Sequence, residues 1–418
     1  MKKDLEFIFF NMSAYRDWQA GVVNRNYHIF FGIQNYPQVK KVIGVDFLPF
    51  NLFSAVKVYL KDIFPRYFKK NIYQDLTTTC FKPEKDKNLF IISTVDSYIH
   101  PKTFIKKIDR IINRLNGSSK NVQRIIVSYH PLFVDLSPLS NETIKIFETV
   151  DNWTEHPSYK NYKNELNENY KFIAQNYDMI FTVAESLVSF FADLGREKKC
   201  YWLANGVDIN HFLQPIDDLN KNALRDTKGI KKPIIGYVGT IQNRVDVKLL
   251  EYVAENNPDK SLVLVGPVWP QFLHHIRRPD VELRKLRKMK NVYFLGRKSY
   301  RVSLFYIRQF AVGIIPHRLD EFIKYTYSLK MLEYLTCGIP TVTTAASGVN
   351  QFSHLIYIAT DYRDFNDKIS KAISQDTPEL HEARIKAVEN FSWENKIREF
   401  INKINDFILS SDEQDGKL

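Results

Sequence analysis

Short apolar runs alternate with amphipathic helical stretches from one end of this 418-residue chain to the other. A strand buried on both faces must be apolar nearly throughout, whereas a helix lying on a sheet needs only one apolar stripe. Their regular alternation predicts an α/β chain of parallel sheets covered by helices. In the first half, strands are expected at 5–10 (LEFIFF), 41–47, 88–93 (NLFIIS), 123–128 (QRIIVS), 178–183 (DMIFTV) and 200–204. Helical patterns fall near 18–36, 51–64, 101–116, 158–176 and 185–194.

A charged stretch without periodicity, QPIDDLNKNALRDTKGIKK at 214–232, interrupts the pattern and reads as a linker. Strands resume at 233–240 (PIIGYVGT), 261–266 (SLVLVG), 291–295, 311–316 (AVGIIP), 339–344 and 355–359. Helices are expected between them, near 246–256, 280–289, 299–309, 327–337 and 362–375. The stretch 379–410 reads as one or two further helices broken near Phe391-Ser392. The expected organisation is therefore a first Rossmann-like domain over 1–212, a linker over 213–232, a second Rossmann-like domain over 233–390, and a carboxyl-terminal helix over 391–418 that returns toward the first domain. Two such halves are expected to face each other across a cleft, with ligands beyond the carboxyl ends of the strands.

Composition removes several classes. With 44% hydrophobic and 25% charged residues, the chain is neither disordered nor collagenous. Cys80, Cys200 and Cys337 form no CxxC, which argues against a zinc ribbon or a disulfide framework and fits a reducing compartment. The apolar part of MKKDLEFIFF is too short for a signal segment, and no stretch approaches the ~20 apolar residues that span a bilayer. A cytoplasmic protein is expected. Lys and Arg number 59 against 47 Asp and Glu, a net charge of +12 that points to an anionic partner.

The segment 311–344, AVGIIPHRLDEFIKYTYSLKMLEYLTCGIPTVTT, carries the sharpest chemical signal. A strand ends at Pro316, a basic loop with His317 and Arg318 follows, and a helix starts near Tyr327-Ser328. Lys330 and Glu333 are three apart and share one helical face. A helix amino terminus with a lysine on it suits a phosphate, and a carboxylate can accept two vicinal hydroxyls of a ribose. The same spacing also fits a solvated Lys–Glu pair. Upstream, Gly239-Thr240 opens a loop that ends at Arg244, and Gly266-Pro267 closes the next strand; glycine there lets backbone N–H groups approach an anion, or simply makes a turn.

This segment resembles the donor-site region of GT-B glycosyltransferases, particularly glycosyltransferase family 4 and its relatives in bacterial surface-polysaccharide synthesis. The resemblance rests on Ile315-Pro316, Leu329-Lys330, Glu333-Tyr334-Leu335, Gly338 and Pro340. Gly236-Tyr237-Val238-Gly239-Thr240 with Asp246, Leu262 to Pro267, and Asn205-Gly206-Val207-Asp208 with Phe212 agree with it. Tyr325 stands where relatives carry a glutamate, Tyr327-Ser328 replaces Ser-Pro, and Ala311 replaces an aspartate; these departures bear on the sugar more than on the nucleotide. The resemblance implies two Rossmann-like domains in the GT-B arrangement and a hexosyltransferase that takes its sugar from a nucleotide-sugar donor, UDP-hexose by family habit. It implies donor contacts from Gly239, Thr240, Arg244, Gly266, Pro267, His317, Arg318, Tyr327, Ser328, Lys330 and Glu333.

In the first domain, Asp151 and His130 are the candidate catalytic residues, and Asp96 and Arg25 the candidate acceptor contacts. Arg25 resembles an arginine found after the first strand in relatives. Each has a plainer alternative as a loop or helix residue. Basic residues concentrate between 40 and 124, with 17 Lys or Arg against 7 Asp or Glu. Over 51–64, Leu52, Phe53, Val56, Leu60, Ile63 and Phe64 fall on one helical face, with Lys57 and Lys61 on the other. Such a surface suits an anionic cytoplasmic membrane, or its apolar face is core.

No Asp-x-Asp occupies a convincing strand end, so neither metal nor other cofactor is expected. Fixed cations and a helix tip would carry the leaving diphosphate instead. The expected partners are a nucleotide-sugar donor and a glycan or lipid-linked acceptor, with peripheral membrane contact and no nucleic acid. A GT-B-shaped sugar-nucleotide epimerase and a basic nucleic-acid-binding protein are the competing readings.

Overall fold

A computed structural model describes residues 3–83, 88–116, 122–137, 139, 143–215, 222–242, 244–268 and 283–414. The chain divides into two compact units, one running to Leu203 and resuming at Ile397, the other from Ala204 to Lys396.

The first unit contains strands β1 (Asp4–Phe10), β2 (Val39–Val45), β3 (Tyr73–Gln74), β4 (Thr78–Phe81), β5 (Leu89–Thr94), β6 (Val122–Ser128), β7 (Thr143–Thr149), β8 (Met179–Thr182) and β9 (Cys200–Trp202). They form one sheet in the order β3-β4-β5-β2-β1-β6-β7-β8-β9. Only β3 and β4 run antiparallel to their neighbours. The apolar runs account for the buried centre. Ile8, Phe10, Ile43, Ile92, Ile126 and Phe147 point to one side, against Ile108, Ile112, Tyr170 and Ile173 of two helices. Phe9 points to the other and meets Phe30 edge-on at 5.4 Å. Each such side chain removed from water contributes roughly 1.5–3 kcal/mol.

Three departures from the sequence pattern have physical causes. The expected helix over 18–36 is two helices, Tyr15–Gln19 and Arg25–Gly32, because the first ends at Ala20-Gly21, with Gly21 at φ +84°. Strand β7 (TIKIFET) was not expected, because Lys145 and Glu148 break its apolar run. The β3–β4 edge was also missed, since TTCF offers threonines rather than a continuous apolar stretch.

The second unit contains β10 (Ile234–Val238), β11 (Ser261–Val265), β12 (Val292–Gly296), β13 (Val312–Ile315), β14 (Thr341–Thr344) and β15 (Tyr357–Ala359). All pair in parallel, in the order β12-β11-β10-β13-β14-β15. This is the doubly wound order in which the direction of winding reverses between the first and fourth strands. Ile235, Tyr237, Leu264, Ile314 and Val342 meet Leu250, Val253, Phe365 and Ile369 in its core. Part of the helix expected over 280–289 lies outside the described residues; a single 3₁₀ turn, Leu286–Lys288, occupies its end.

Residues 204–212 fold with the second unit. The Val207 N–H donates to the Phe391 carbonyl at 2.8 Å, and a Cβ on Gly206 would stand 2.7 Å from the Trp393 ring. The expected linker falls partly outside the described residues. Its described end is docked, with the Tyr306 hydroxyl donating to Asp226 at 2.9 Å and Lys298 paired with the same carboxylate. The last helix, Trp393–Gln414, begins in the second unit and continues into the first. There Phe400 packs edge-on against Phe181 at 4.6 Å, and Ile397 fills the space beside Gly32.

Candidate functional site

In the second unit, the winding reversal lies between β10 and β13, and the loops leaving those two strands meet. After β10 comes Gly239-Thr240; after β13 comes Pro316-His317-Arg318. The Asp246 N–H donates to the Pro316 carbonyl at 2.8 Å and the Arg318 N–H to the Arg244 carbonyl at 2.8 Å. These bonds zip the Arg244 loop onto the His317 loop. Arg244 also lies over the Phe322 ring at 4.5 Å.

Glycine is required where the backbones crowd. Gly239 and Gly266 both sit at φ +148°, and a Cβ on Gly266 would stand 2.0 Å from the Gly239 carbonyl oxygen. A Cβ on Gly239 would stand 2.2 Å from Lys330 Cε and 3.0 Å from its Nζ. The lysine therefore lies directly on the loop after β10, with its ammonium 5.5 Å from the Tyr237 ring. It comes from helix Leu329–Thr336, whose position is fixed by Tyr334: the Val238 N–H donates to the Tyr334 hydroxyl at 2.9 Å, and that ring packs where Gly313 has no side chain.

The amino end of this helix is open. Its cap residue is Ser328, which makes no side-chain cap bond and whose Oγ is buried without a partner. The first-turn N–H groups add a partial positive charge beside Lys330. Tyr327 is a positioning residue. Its carbonyl accepts from the Asn205 side chain at 2.9 Å, its hydroxyl accepts from Gln351, and its ring fills the space beside Gly348.

Three basic groups crowd here, and their protonation shows it. Burial pushes Lys330 down to about 8; Glu333 opposes that shift and Arg244 adds to it. Burial pushes Glu333 up to about 7 against the pull of Lys330. His317 is held well below its ordinary value, first by burial and then by Lys330 and Arg244. It is neutral at physiological pH, with Nδ1 buried and unpartnered. The sequence candidates Gly239, Thr240, Arg244, Gly266, Pro267, His317, Arg318, Tyr327, Ser328, Lys330 and Glu333 thus lie on the carboxyl-end loops of β10, β11 and β13 and on the segment leading into, and the first turns of, one helix. Sequence reasoning did not pick out Tyr237 and Tyr334, the rings that seat Lys330 and its helix. Asp246 is the cap of helix Val247–Asn256, accepting from the Lys248 and Leu249 N–H groups.

In the first unit, the corresponding reversal lies between β1 and β6, and His130 follows β6. It is 1% exposed and boxed by Phe47, Phe50, Phe133 and Trp153, with ring centroids 5.3–5.9 Å away. Its Nδ1 accepts from the Leu132 N–H at 3.3 Å, and burial pushes the ring down to about 3. His130 thus sits in an aromatic box with Nδ1 engaged and Nε2 buried without a partner. Arg25, the expected acceptor contact, is 3% exposed, and its Nε donates to Glu148 at 2.6 Å in the interior. The partner was missed because β7 was missed.

Asp151 is half-buried just past β7, its carbonyl accepting from the Thr149 hydroxyl at 2.8 Å. Asp96 is buried past β5. One of its oxygens accepts from Lys107 at 2.5 Å and from the Thr78 hydroxyl at 3.2 Å, and Oδ1 has no partner. It lines a cavity of about 390 Å³ with Tyr73, Asp75, His100, Lys107 and Arg110. Among the described residues, no group of three or more His, Cys, Asp or Glu side chains is disposed to hold a metal ion. No described helix is long and apolar enough to cross a membrane.

Residues 232–375 match the family described as glycosyl transferases group 1. Over 311 residues the chain is 23% identical to TuaH of Bacillus subtilis (strain 168), assigned as a teichuronic acid biosynthesis glycosyltransferase; the match covers 71% of this chain and 75% of that one. The fold matches Anabaena HepE, solved with UDP and glucose, at TM-score 0.63 and 12% identity over 96% of this chain and 99% of that one. It matches sucrose-phosphate synthase from Thermosynechococcus elongatus at TM-score 0.69 and 13% identity, over 98% and 100%. It matches α,α-trehalose 6-phosphate synthase from Burkholderia multivorans at TM-score 0.68 and 13% identity, over 98% and 100%. The chain thus has the GT-B fold of two Rossmann-like domains, and residues 232–375 of its second unit resemble the group 1 glycosyl transferases.

Proposed function

We propose that this protein is a metal-independent hexosyltransferase that takes a sugar from a nucleotide-sugar donor, UDP-hexose, and passes it to a glycan or lipid-linked acceptor in bacterial surface-polysaccharide synthesis, on the cytoplasmic side of the membrane. The observation that carries the reading is the seating of Lys330 on Gly239, at the winding reversal of the second sheet. It puts a full cation, an open helix end and a glycine backbone at one place, which is what a diphosphate needs. The likeness to HepE, solved with UDP-glucose, supports a UDP donor, and the likeness to TuaH supports a cell-surface polysaccharide.

In this mechanism the sugar–phosphate bond breaks and charge grows on the leaving diphosphate. Lys330, Arg244 and Arg318 are held there before the reaction, so they stabilise that charge without reorganising. Loss of one such preorganised group typically costs about 10²–10³ in rate. Glu333 accepts the two ribose hydroxyls and keeps the anomeric carbon in register. Neutral His317 offers a hydrogen bond without adding a further cation. The first unit binds the acceptor, with Asp151 as the carboxylate for the incoming hydroxyl and Asp96 as a contact.

Thermal-shift screening and calorimetry against a panel of nucleotide sugars test the reading. UDP and one UDP-hexose should stabilise the protein without added metal. Glu333→Ala should abolish that stabilisation while leaving the ligand-free melting temperature within a few degrees. Undiminished stabilisation of the variant by every nucleotide would refute the site.

A further inference from the structure

The first unit carries an apolar surface that its own core does not use. Of the fourteen large apolar side chains standing exposed among the described residues, ten lie between Leu52 and Ile99. The most prominent are Phe68, 82% exposed, and Leu76, 76% exposed, with Leu52, Phe53, Leu60 and Phe64 beside them in sequence. Single exposed leucines are ordinary, but this concentration is not.

The backbone turns these residues outward. Helix Leu52–Val58 passes into a π-helical turn over Tyr59–Ile63. Continued at the ordinary 3.6-residue period, Ile63 would share the face of Leu52 and Val56. The wider turn instead brings Ile63 round to the face of Ala55 and Val58, and the three are buried with Val95 in a small cluster. That cluster pins the segment down, and Leu52, Phe53, Leu60 and Phe64 are left facing out.

Charge tells what covers the surface. Between 51 and 76 the acidic residues are Asp62, buried and paired with Arg16, and Asp75, half-buried and paired with Lys107 at 2.6 Å. The exposed charges there are Lys57, Lys61, Lys69 and Lys70, all positive. A second copy of the chain meeting this face about a two-fold axis would set lysine against lysine. An anionic bilayer meets both demands at once, taking the apolar tips into its interface and the ammonium groups at its phosphates.

We propose that residues 52–76, with Tyr98 and Ile99, form the surface by which this protein docks peripherally on an anionic phospholipid bilayer. The proposal deepens the reading of a lipid-linked acceptor, but it does not depend on the donor chemistry, and the two can fail separately.

Co-sedimentation of the full chain with phosphatidylcholine vesicles, with and without about a third phosphatidylglycerol, tests it. Binding is expected only to the anionic vesicles, weakening as salt rises, with each basic residue near the surface worth about fivefold in affinity. The Lys57→Gln/Lys61→Gln/Lys69→Gln/Lys70→Gln variant should bind at least a hundredfold more weakly. Phe68→Ser/Leu76→Ser should lose binding at least tenfold even at low salt. Both variants should keep the wild-type melting temperature within a few degrees, which shows them folded. Failure of the wild type to bind anionic vesicles overturns the proposal. So does wild-type binding by Phe68→Ser/Leu76→Ser. A dimer in light scattering that this variant dissociates would assign the surface to a second copy and overturn it equally.

Discussion

Arg25 and Glu148 are 123 residues apart in sequence, and their side chains meet at 2.6 Å in an interior that exposes 3% of one and none of the other. The pair ties the helix after β1 to β7 across the middle of the first sheet. Two charges removed from water are tolerable only together. Glu148→Ala should therefore destabilise the first unit by about 3–5 kcal/mol, because it strands the guanidinium. Arg25→Met combined with Glu148→Leu should recover most of that loss. Urea unfolding of the single and double variants, followed by tryptophan fluorescence, measures both.

Gly239 and Gly266 should separate folding from binding. The Cβ of Gly239→Ala would meet the flexible end of Lys330, which can swing away. That variant should fold with a loss of about 1–2 kcal/mol, and bind UDP at least tenfold more weakly because the ammonium is displaced. The Cβ of Gly266→Ala would meet backbone, 2.0 Å from the Gly239 oxygen, with nothing able to yield. It should lower the melting temperature clearly more than Gly239→Ala. Thermal melts with parallel calorimetry give both readouts.

Lys330 and Glu333 should set a pH window for nucleotide binding. In the free protein Lys330 titrates at about 8, and a bound diphosphate favours its charged form. Binding should therefore take up a proton near pH 8, and affinity should fall up to tenfold per pH unit above it. Below about 7, Glu333 gains a proton and loses acceptor strength, so affinity should fall there too. Calorimetry of UDP in buffers of different ionisation enthalpy measures the proton uptake. Lys330→Met should remove the alkaline limb.

Asp46 makes the first unit more stable in mild acid. It accepts from the Ser93 hydroxyl at 2.6 Å and from the Tyr15 N–H at 2.8 Å, yet burial, with Asp62 nearby, pushes it up to about 7. The folded form then holds a proton that the unfolded form has released. Its contribution is fully present below pH ~4 and is lost as pH rises through about 7. Asp46→Asn should flatten the slope of unfolding free energy against pH across that window. An unchanged slope would move the effect elsewhere.

The sequence alone determined the α/β class and most of the strands, because a strand buried on both faces must be apolar along its whole length and no partner need be known to see it. It also placed Lys330 and Glu333 together, since they lie within one helical turn and share a face by local geometry. Tertiary structure decided everything that depends on a distant neighbour. Strand β7 escaped notice because its Lys145 and Glu148 break the run, and only the folded chain supplies Arg25 to the carboxylate. The four rings that box His130 were likewise invisible until the chain folded. The apolar face at 52–64 was equally consistent with core or surface, and a π-helical turn with a four-residue cluster beneath it resolved the question. The seat of Lys330 on Gly239 likewise joins segments far apart in sequence. Periodicity records whether a side chain avoids water, whereas the identity of its neighbour is set by the path of the whole chain.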